Sequence, residues 1–300
     1  MKNLLNLSDL SKEECLKIIN SAIDRKINKK QSTEAKDKAL AMIFEKSSTR
    51  TRISFELAIK QLGGLSIMLD KDHLHLGKRE TLADTASTLS QYADIIMMRS
   101  NNHSTLENLA KHSSVPIING LSDLSHPCQT LATLMTIMEV KGTLENINIS
   151  WFGPISNVAH SLIDAVNMNL GINLSIYCPK YYQDIYFKKL KDMKKEISLD
   201  KVIIKEFELD KINPTDVVYT DTWFSMGDIE DSTKIEMLTK YTVNQDLMSK
   251  VNSDCMFMHC LPANRSQEVS SEVIDGSQSY VWQEAQNRLH VQKELLLNFL

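Results

Sequence analysis

The sequence predicts an α/β protein made of two units, each built on a parallel β-sheet. Short apolar runs alternate with longer segments whose apolar residues recur at helical spacing, a pattern typical of strand–helix–strand crossovers. This pattern stops near residues 139–146, at Lys141-Gly142, and then begins again. A chain of 300 residues is long enough for two domains of ordinary size. The sequence therefore indicates a boundary close to residue 140.

The first half contains four predicted strands, each followed by a predicted helix. Residues 39–44 form a continuous apolar run, as expected of a strand buried on both faces. The other strands are expected at 65–69, 94–98 and 115–119. Helices are expected at about 8–27, at 81–91, at 104–112 and at 126–140, and a further amphipathic helix follows Ser47–Thr49 with Phe55, Ala58, Ile59 and Leu62 on one face. Ser8 or Ser11 can cap the earliest of these helices.

The second half repeats the alternation. Strands are expected at 147–152, 173–177, 201–206 and 217–220, with another that begins at residue 256 and runs into Pro262. Helices are expected at 156–170 and 182–197, and a C-terminal helix begins at residue 284. Binding residues in parallel sheets gather at the carboxyl ends of the strands. The residues that follow each strand are therefore the candidates for function.

Composition and charge exclude several classes of protein. With 42% hydrophobic and 24% charged residues the chain is globular, and its net charge of −4 argues against a broad nucleic-acid surface. The five cysteines form no C-x-x-C pair, so we expect reduced thiols and no metal site. No apolar run reaches membrane-spanning length, and the N-terminus lacks the pattern of a signal peptide. We therefore expect a cytoplasmic protein.

The turn after the first strand has the composition of a phosphate site. Ser47, Ser48 and Thr49 can cap the helix that follows, where unpaired backbone N–H groups and the helix dipole attract anions. Arg50 adds a planar fork that suits phosphate oxygens. The alternative interpretation is an ordinary capped helix with a solvated Arg52–Glu56 pair.

Two further turns carry polar groups to the same predicted edge of the sheet. Arg99 ends the third strand, and His126 follows the fourth after a short loop. Pro127 suits the first position of a helix, so His126 and Gln129 are expected at its start, facing one ligand. A neutral histidine can donate to a carbonyl oxygen, and a glutamine amide can accept from an N–H. Together with Arg50, these groups predict a pocket for a dianion.

The second half offers candidates for a different ligand. Asp221 follows a strand and could bind an ammonium group or simply cap a turn. His259 and Cys260 are neighbours on a predicted strand, so they are expected on opposite faces, which disfavours a Cys–His nucleophile pair. The turn after residue 152 lacks the glycine fingerprint of dinucleotide sites, which argues against NAD. Arg288, near the C-terminus, is either a solvated helix residue or a third cation at the site.

Five motifs in this order resemble the aspartate/ornithine carbamoyltransferase family, and within it the branch that acts on ornithine. The motifs are Ser48-Thr49-Arg50-Thr51-Arg52, His126-Pro127-x-Gln129, Asp221-Thr222-Trp223-x-Ser225-Met226-Gly227, His259-Cys260-Leu261-Pro262 and Glu284-Ala285-x-Asn287-Arg288. The resemblance covers nearly the whole chain. It implies a carbamoyl-phosphate-binding domain at 1–140, with the C-terminal helix 284–300 packing back on it, and an ornithine-binding domain at 141–283. It also implies an active site in the cleft between the domains, a homotrimer and no cofactor.

The resemblance implies the following reaction: the carbamoyl group of carbamoyl phosphate passes to the δ-amine of L-ornithine, giving L-citrulline and phosphate in arginine metabolism. Residue roles carry over by position. The phosphate group is expected to be bound by Ser48, Thr49, Arg50, Thr51 and Arg99. The carbamoyl group is expected to be bound by His126, Gln129 and Arg288. The ornithine site is expected at Asn157, Asp221, Ser225 and Met226, while Cys260 and the Leu261 backbone line the reacting centre. Cys260, Leu261 and His75 are also expected among the carbamoyl-phosphate ligands. The resemblance also implies that His75 reaches the site of a neighbouring subunit. Arg50, His126, Gln129, Cys260 and Arg288 are the expected catalytic residues.

Two positions depart from the family pattern. The usual Gly-Asp-Gly-Asn-Asn turn is Gly153-Pro154-Ile155-Ser156-Asn157 here, and Gln286 replaces the usual glutamate before Asn287-Arg288. The alternatives are a sister transferase that uses putrescine or acetylornithine, and a non-catalytic sensor of carbamoyl phosphate. Aspartate as the acceptor is disfavoured, because Cys260 stands where that branch has a proline.

Overall fold

The computed structural model describes residues 2–28, 32–70, 80–224 and 231–300. The chain divides into two compact units, Met1–Met135 with Gln286–Leu300 and Thr136–Ala285. Each unit contains one sheet, and every strand pairing in both sheets is parallel. The predicted fold class is thereby confirmed.

The sheet of the first unit has the strand order β2-β1-β3-β4. Its strands are β1 (Ala39–Phe44), β2 (Leu65–Asp70), β3 (Ile95–Arg99) and β4 (Ile117–Leu121). The apolar run predicted as a buried strand is β1, whose residues Leu40 to Ile43 are all buried. Because β1, β3 and β4 are neighbours, the turns that follow these three strands come together at one edge.

Helices of the first unit begin where the sequence supplies caps. They are α1 (Lys12–Ile27), α2 (Thr49–Gln61), α3 (Leu82–Leu89) and α4 (His103–His112), followed by α5 (Pro127–Lys141). Ser11 rather than Ser8 caps α1, because its hydroxyl accepts from the Glu14 N–H while the Glu14 carboxylate accepts from the Ser11 N–H. The prediction that this helix begins near residue 8 was wrong, since Leu7–Asp9 form a separate 3-10 turn.

The sheet of the second unit has the order β7-β6-β5-β8-β9. Its strands are β5 (Ile147–Phe152), β6 (Ile172–Tyr177), β7 (Val202–Lys205), β8 (Val217–Thr220) and β9 (Met256–His259). Stacked rings pack across neighbouring strands, with 5.3 Å between the centroids of Trp151 and Tyr219 and 4.9 Å between those of Phe152 and Tyr177. This packing fixes the strands whose ends carry the candidate residues.

The described residues form further helices beyond these. They are α6 (Asn157–Asn167), α7 (Lys180–Asp192), α8 (Ser232–Thr239), α9 (Gln245–Met248), α10 (Ser271–Ile274) and α11 (Val281–Phe299). Helices α8 to α10 are short and were not predicted, because their segments offer too few turns for a periodic apolar pattern. The division between the units falls within α5 and α11, the helices that contain residues 140 and 284. Among the described residues, no helix is both long and apolar enough to cross a membrane.

Candidate active site

The N-terminus of α2 forms one wall of a cationic site in the first unit. Ser48 caps this helix, and its Oγ accepts a hydrogen bond from the Thr51 N–H at 3.3 Å. Thr51 is fully buried, and its Oγ1 accepts from two arginines: from Arg99 Nη1 at 3.3 Å and from Arg288 Nη2 at 2.9 Å. Two guanidinium groups thus meet at the Thr51 hydroxyl, one helical turn from the Ser48 cap.

The two arginines come from distant parts of the chain. Arg99 is the last residue of β3, and its Nη1 also donates to Ser48 Oγ at 3.2 Å. Arg288 lies on α11 and is only 3% exposed, so it is not a solvated helix residue. The nearby departure at Gln286 is exposed and leaves the contact between Arg288 and Thr51 in place.

His126 is buried beside these cations. The residue is 3% exposed and directly precedes Pro127, the first residue of α5. Burial, followed by the positive charges of Arg288, Arg99 and Arg50, lowers the pKa of His126 well below its usual 6.5. The imidazole is therefore neutral at neutral pH, and one of its nitrogens can donate to a carbonyl oxygen.

Gln129 lies one turn into α5 and is 1% exposed. Its backbone N–H donates to the His126 carbonyl at 3.1 Å, which ties both residues to the first turn of the helix. The structure thus brings together Ser48, Arg50, Thr51, Arg99, His126 and Arg288, with Gln129 on the same turn as His126. Such a site can hold a doubly charged anion and polarise a carbonyl group next to it.

The second unit presents a different set of groups at the ends of β8 and β9. Asp221 follows β8, and its Oδ1 accepts from the Thr222 N–H at 2.8 Å and from the Cys260 thiol at 2.9 Å. Cys260 and Leu261 follow β9. Asn157, after β5, is the first residue of α6. Because β5, β8 and β9 are neighbours, these residues share the carboxyl edge of one sheet.

The predicted separation of His259 and Cys260 was wrong. Ligand atoms of Asp221, His259 and Cys260 all lie within 4.8 Å of one another. Alternation between faces holds only inside a strand, and β9 ends at His259. This trio is the one group within the described ranges that could hold a metal ion, and its sulfur, nitrogen and oxygen donors suit Zn²⁺. His259 Nδ1, however, already accepts from the Leu261 N–H at 2.8 Å.

The turn that departs from the family pattern keeps its strand–turn–helix form. Gly153 has a φ of 111°, which only glycine adopts without strain, and a Cβ there would lie 3.4 Å from Trp223 Nε1. The Pro154 carbonyl accepts from Trp151 Nε1 at 3.0 Å. Ser156 then caps α6 by accepting from the Val158 N–H at 3.2 Å. The substituted residues thus still deliver Asn157 to the start of the helix.

Three predicted site residues, His75, Ser225 and Met226, lie outside the described residues. Thr49 is exposed and Arg50 is half-buried at the start of α2. The sequence analysis missed one residue beside the second set, the fully buried Glu268, whose carboxylate faces His259 at 3.4 Å. In the sequence, Glu268 is a single glutamate among polar residues. Nothing there distinguishes it from a solvent-exposed glutamate.

Comparisons with known proteins agree with this architecture. The family model described as "Aspartate/ornithine carbamoyltransferase, carbamoyl-P binding domain" matches residues 2–139. The model described as "Aspartate/ornithine carbamoyltransferase, Asp/Orn binding domain" matches residues 145–299. Together these matches span both units.

Relatives cover the whole chain. The ornithine carbamoyltransferase of Bacillus subtilis is 44% identical over 98% of this chain and 92% of its own length. The ornithine carbamoyltransferase of Methanococcus vannielii is 41% identical over 98% of this chain and 97% of its own length. Among solved structures, the ornithine carbamoyltransferase from Pyrococcus furiosus is 41% identical and superposes with a TM-score of 0.89 over 98% of this chain and 96% of its own. The anabolic ornithine carbamoyltransferase from Campylobacter jejuni is 38% identical. It superposes with a TM-score of 0.87 over 100% of this chain and 99% of its own.

The fold and the cationic site are those of a protein that binds a small anion at the strand ends of a parallel sheet. The chain belongs to the aspartate/ornithine carbamoyltransferase family.

Proposed function

We propose that this chain transfers the carbamoyl group of carbamoyl phosphate to the δ-amine of L-ornithine, giving L-citrulline and phosphate. One observation carries the first half of this proposal: Arg99 and Arg288 share Thr51 Oγ1 at the N-terminus of α2, beside a neutral His126. A dianion with an adjoining carbonyl group satisfies all of these groups at once. The ornithine carbamoyltransferases, at 41–44% identity, support the acceptor.

The first unit is the proposed carbamoyl-phosphate-binding domain. Its phosphate ligands are the capping hydroxyls and N–H groups of residues 48–51, together with Arg50 and Arg99. His126, Gln129 and Arg288 hold the carbamoyl group. As the amine attacks, negative charge grows on the carbamoyl oxygen, and one preorganised donor to such an oxygen contributes about 3–4 kcal/mol. His126 can donate there without carrying a charge of its own.

The second unit is the proposed ornithine-binding domain. Asp221 and Asn157 bind the α-amino and carboxylate end of ornithine, with Ser225 and Met226 as further ligands. Cys260 and the Leu261 backbone line the reacting centre, where the δ-amine meets the carbamoyl group. Asp221 supplies the negative charge that an ammonium group requires, and its carboxylate is already oriented by Thr222 and Cys260.

The chemical step needs no covalent enzyme intermediate. The neutral δ-amine forms a C–N bond with the carbamoyl carbon, the C–O bond to phosphate breaks, and phosphate leaves with the electron pair. The amine loses one proton, which the departing phosphate accepts. A free alkylamine has a pKa of about 10, so the arginines beside the carbamoyl group assist by disfavouring the charged amine.

The test is a direct assay of the purified protein. Carbamoyl phosphate is supplied with L-ornithine, N-acetylornithine, putrescine or aspartate, and both phosphate and the carbamoylated amine are measured. We expect citrulline as the main product. Preferential formation of carbamoylputrescine or of acetylcitrulline would contradict the proposed acceptor. Binding of carbamoyl phosphate with no turnover of any amine would contradict an enzymatic function altogether.

We also propose a homotrimer in the cytoplasm. Ile53 and Leu57 on α2 and Leu65 and Ile67 on the outer strand β2 are exposed apolar side chains, and Leu65 is 67% exposed. Such side chains on an edge strand are typical of a subunit contact. The five cysteines are free, which suits a reducing compartment. His75 is the proposed contribution of each subunit to its neighbour's site.

Sedimentation of the purified protein tests the assembly. We expect a mass of three chains of 34.1 kDa each. Leu65→Lys should shift the protein toward single chains because it places a charge on the outer strand β2. A single-chain mass for the unmodified protein would contradict the trimer.

A further inference from the structure

A glutamate and a histidine face each other inside the second unit, and no step of the proposed reaction uses either of them. The side chains of Glu268 and His259 are fully buried, and Glu268 Oε1 lies 3.4 Å from His259 Nε2. Within the described part of the chain, Glu268 Oε2 has no hydrogen-bond partner. A buried carboxylate is costly unless its partners are well placed, and a well-packed apolar residue often stabilises a fold at least as well. Stability alone therefore gives no reason for a glutamate here.

The other nitrogen of His259 holds the segment that follows β9. His259 Nδ1 accepts a hydrogen bond from the Leu261 N–H at 2.8 Å. A ring nitrogen that accepts carries no hydrogen, so the neutral ring must carry its hydrogen on Nε2, the nitrogen that faces Glu268. In the described part of the chain His259 Nε2 makes no hydrogen bond, but the Glu268 carboxylate 3.4 Å away favours by its charge the tautomer of His259 that can hold Leu261.

Leu261 requires such support because of its backbone conformation. Its φ is 57°, in the left-handed region where a residue with a Cβ is disfavoured. The N–H and C=O groups of one trans peptide point in opposite directions, so the bond from Leu261 to His259 also orients the Cys260 carbonyl. The direction of this peptide decides how Cys260 and Leu261 are presented at the edge of the sheet.

Glu268 reaches the neighbouring segment as well. Its Oε1 accepts a short hydrogen bond from the Asn264 N–H. Asn264 Nδ2 in turn donates to Thr222 Oγ1 at 3.0 Å, and the Thr222 N–H donates to Asp221. One carboxylate is thus connected to both segments that carry the candidate amine-binding residues.

We propose that Glu268 is a positioning residue for the amine substrate, acting through His259 on Cys260 and Leu261 and through Asn264 on the segment of Asp221. The identity of the amine rests on the proposed function. The role of Glu268 in holding the two segments does not depend on it. Glu268 touches no substrate itself. It holds two segments in the arrangement that the acceptor requires.

Glu268→Gln tests the inference, because it keeps the shape of the side chain and removes the negative charge. We expect the KM for ornithine to rise about tenfold or more, since displacing the segments that hold the amine weakens its binding in the ground state and the transition state alike. The KM for carbamoyl phosphate should stay within about twofold of the unmodified value, because its phosphate ligands, residues 48–51 and Arg99, belong to the first unit and dominate its binding. Unchanged kinetics for ornithine, or an equal effect on both substrates, would overturn the inference.

Asp275→Asn is the matched control. Asp275 pairs with Arg265, next to Asn264, at 2.7 Å, but it does not contact Glu268 in the described structure. This variant removes a carboxylate charge from the same region and should leave both KM values unchanged.

If Glu268→Gln fails to fold, Asn264→Ala replaces it, because Asn264 is exposed and the change breaks only the contact to Thr222. We then expect a smaller rise in the KM for ornithine and the same outcome for carbamoyl phosphate, and no rise would overturn the inference.

A second measurement separates this inference from the proposed function. Cys260 is partly exposed, whereas the other four cysteines are buried, so iodoacetamide in the absence of substrate should report on Cys260. Glu268→Gln, or Asn264→Ala in its place, should change the rate of alkylation at Cys260 at least threefold, while Asp275→Asn should not. An unmodified protein that makes no citrulline would refute the proposed function alone. Equal alkylation rates in all variants would refute the positioning role.

Discussion

The two sheets of this protein have the same all-parallel architecture, yet their carboxyl edges carry opposite charge. In the first unit, Arg50, Arg99 and Arg288 surround a neutral histidine. In the second unit, the corresponding edge carries Asp221, which binds a thiol and a backbone N–H. The shared fold provides a place for ligands, and the residues gathered at each edge decide which ligand binds. One edge suits a dianion and the other suits an ammonium group.

The largest expected effect comes from Arg50→Ala, which removes one cation from the first edge. We expect kcat to fall about 100- to 1,000-fold, the usual loss for one donor to a developing anion. Arg50 is half-buried at the start of α2, so the circular dichroism spectrum should stay unchanged. Arg52→Ala is the matched control, since Arg52 is exposed on the same turn and should tolerate the change. Equal losses of kcat in both variants would contradict this prediction. They would show that positive charge at the N-terminus of α2 matters, and not the position of Arg50 in the site.

Asp221→Asn should separate the two edges. The variant keeps the shape of the side chain but loses the charge that attracts an ammonium group, worth about 1.5–3 kcal/mol for a charged hydrogen bond. The KM for ornithine should therefore rise roughly 10- to 100-fold, while the KM for carbamoyl phosphate should not change. Steady-state kinetics with each substrate varied in turn measures both values. A similar rise for both substrates would refute the division of the ligands between the edges.

The buried His126 makes the first edge sensitive to acid. Its pKa is lowered in the folded protein, so below pH 6.5 the unfolded chain binds a proton that the folded chain does not. Stability should therefore fall as the pH decreases below about 6.5, by up to about 1.4 kcal/mol per pH unit from this one group. His126→Gln should remove that part of the slope. Urea unfolding at pH 8, 6 and 5 gives the comparison, and identical slopes in the two proteins would contradict it.

The smallest expected effects concern two helix caps, one at the candidate site and one away from it. Ser48→Ala and Ser11→Ala should each lower the free energy of unfolding by about 1 kcal/mol, the typical value of an N-cap. Ser48 also accepts from Arg99, so only Ser48→Ala should raise the KM for carbamoyl phosphate. Thermal unfolding and kinetics of the two variants test this. A kinetic effect of Ser11→Ala would contradict the assignment.

Much of the fold was predictable because its signals are local. The apolar run of β1 and the capped, amphipathic α2 were correctly placed, and Pro127 correctly marked the start of α5. These predictions succeeded because burial on both faces leaves a continuous apolar run, and because caps and prolines act on their own helix. The short helices α8 to α10 escaped prediction, since four to eight residues carry little periodicity.

The candidate site was predictable only in part. Arg50, Arg99 and His126 follow strands, so the rule for parallel sheets indicated their common edge. Arg288 lies on the last helix, where residues alone could not distinguish a solvated arginine from a ligand until the family motifs were considered. His259 and Cys260 were wrongly separated, because the alternation rule was applied beyond the end of β9.

By itself, the sequence determined the class of fold, the order of the strands along the chain and the chemical types available at each turn. These properties follow from periodicity, caps and charges that act over a few residues. Only the tertiary structure decided which distant groups meet: Arg288 with Thr51 across 237 positions, and Glu268 with a histidine nine residues before it. The reason is physical. Burial and hydrogen bonding between remote segments depend on how helices pack on a sheet, and no local pattern records that packing.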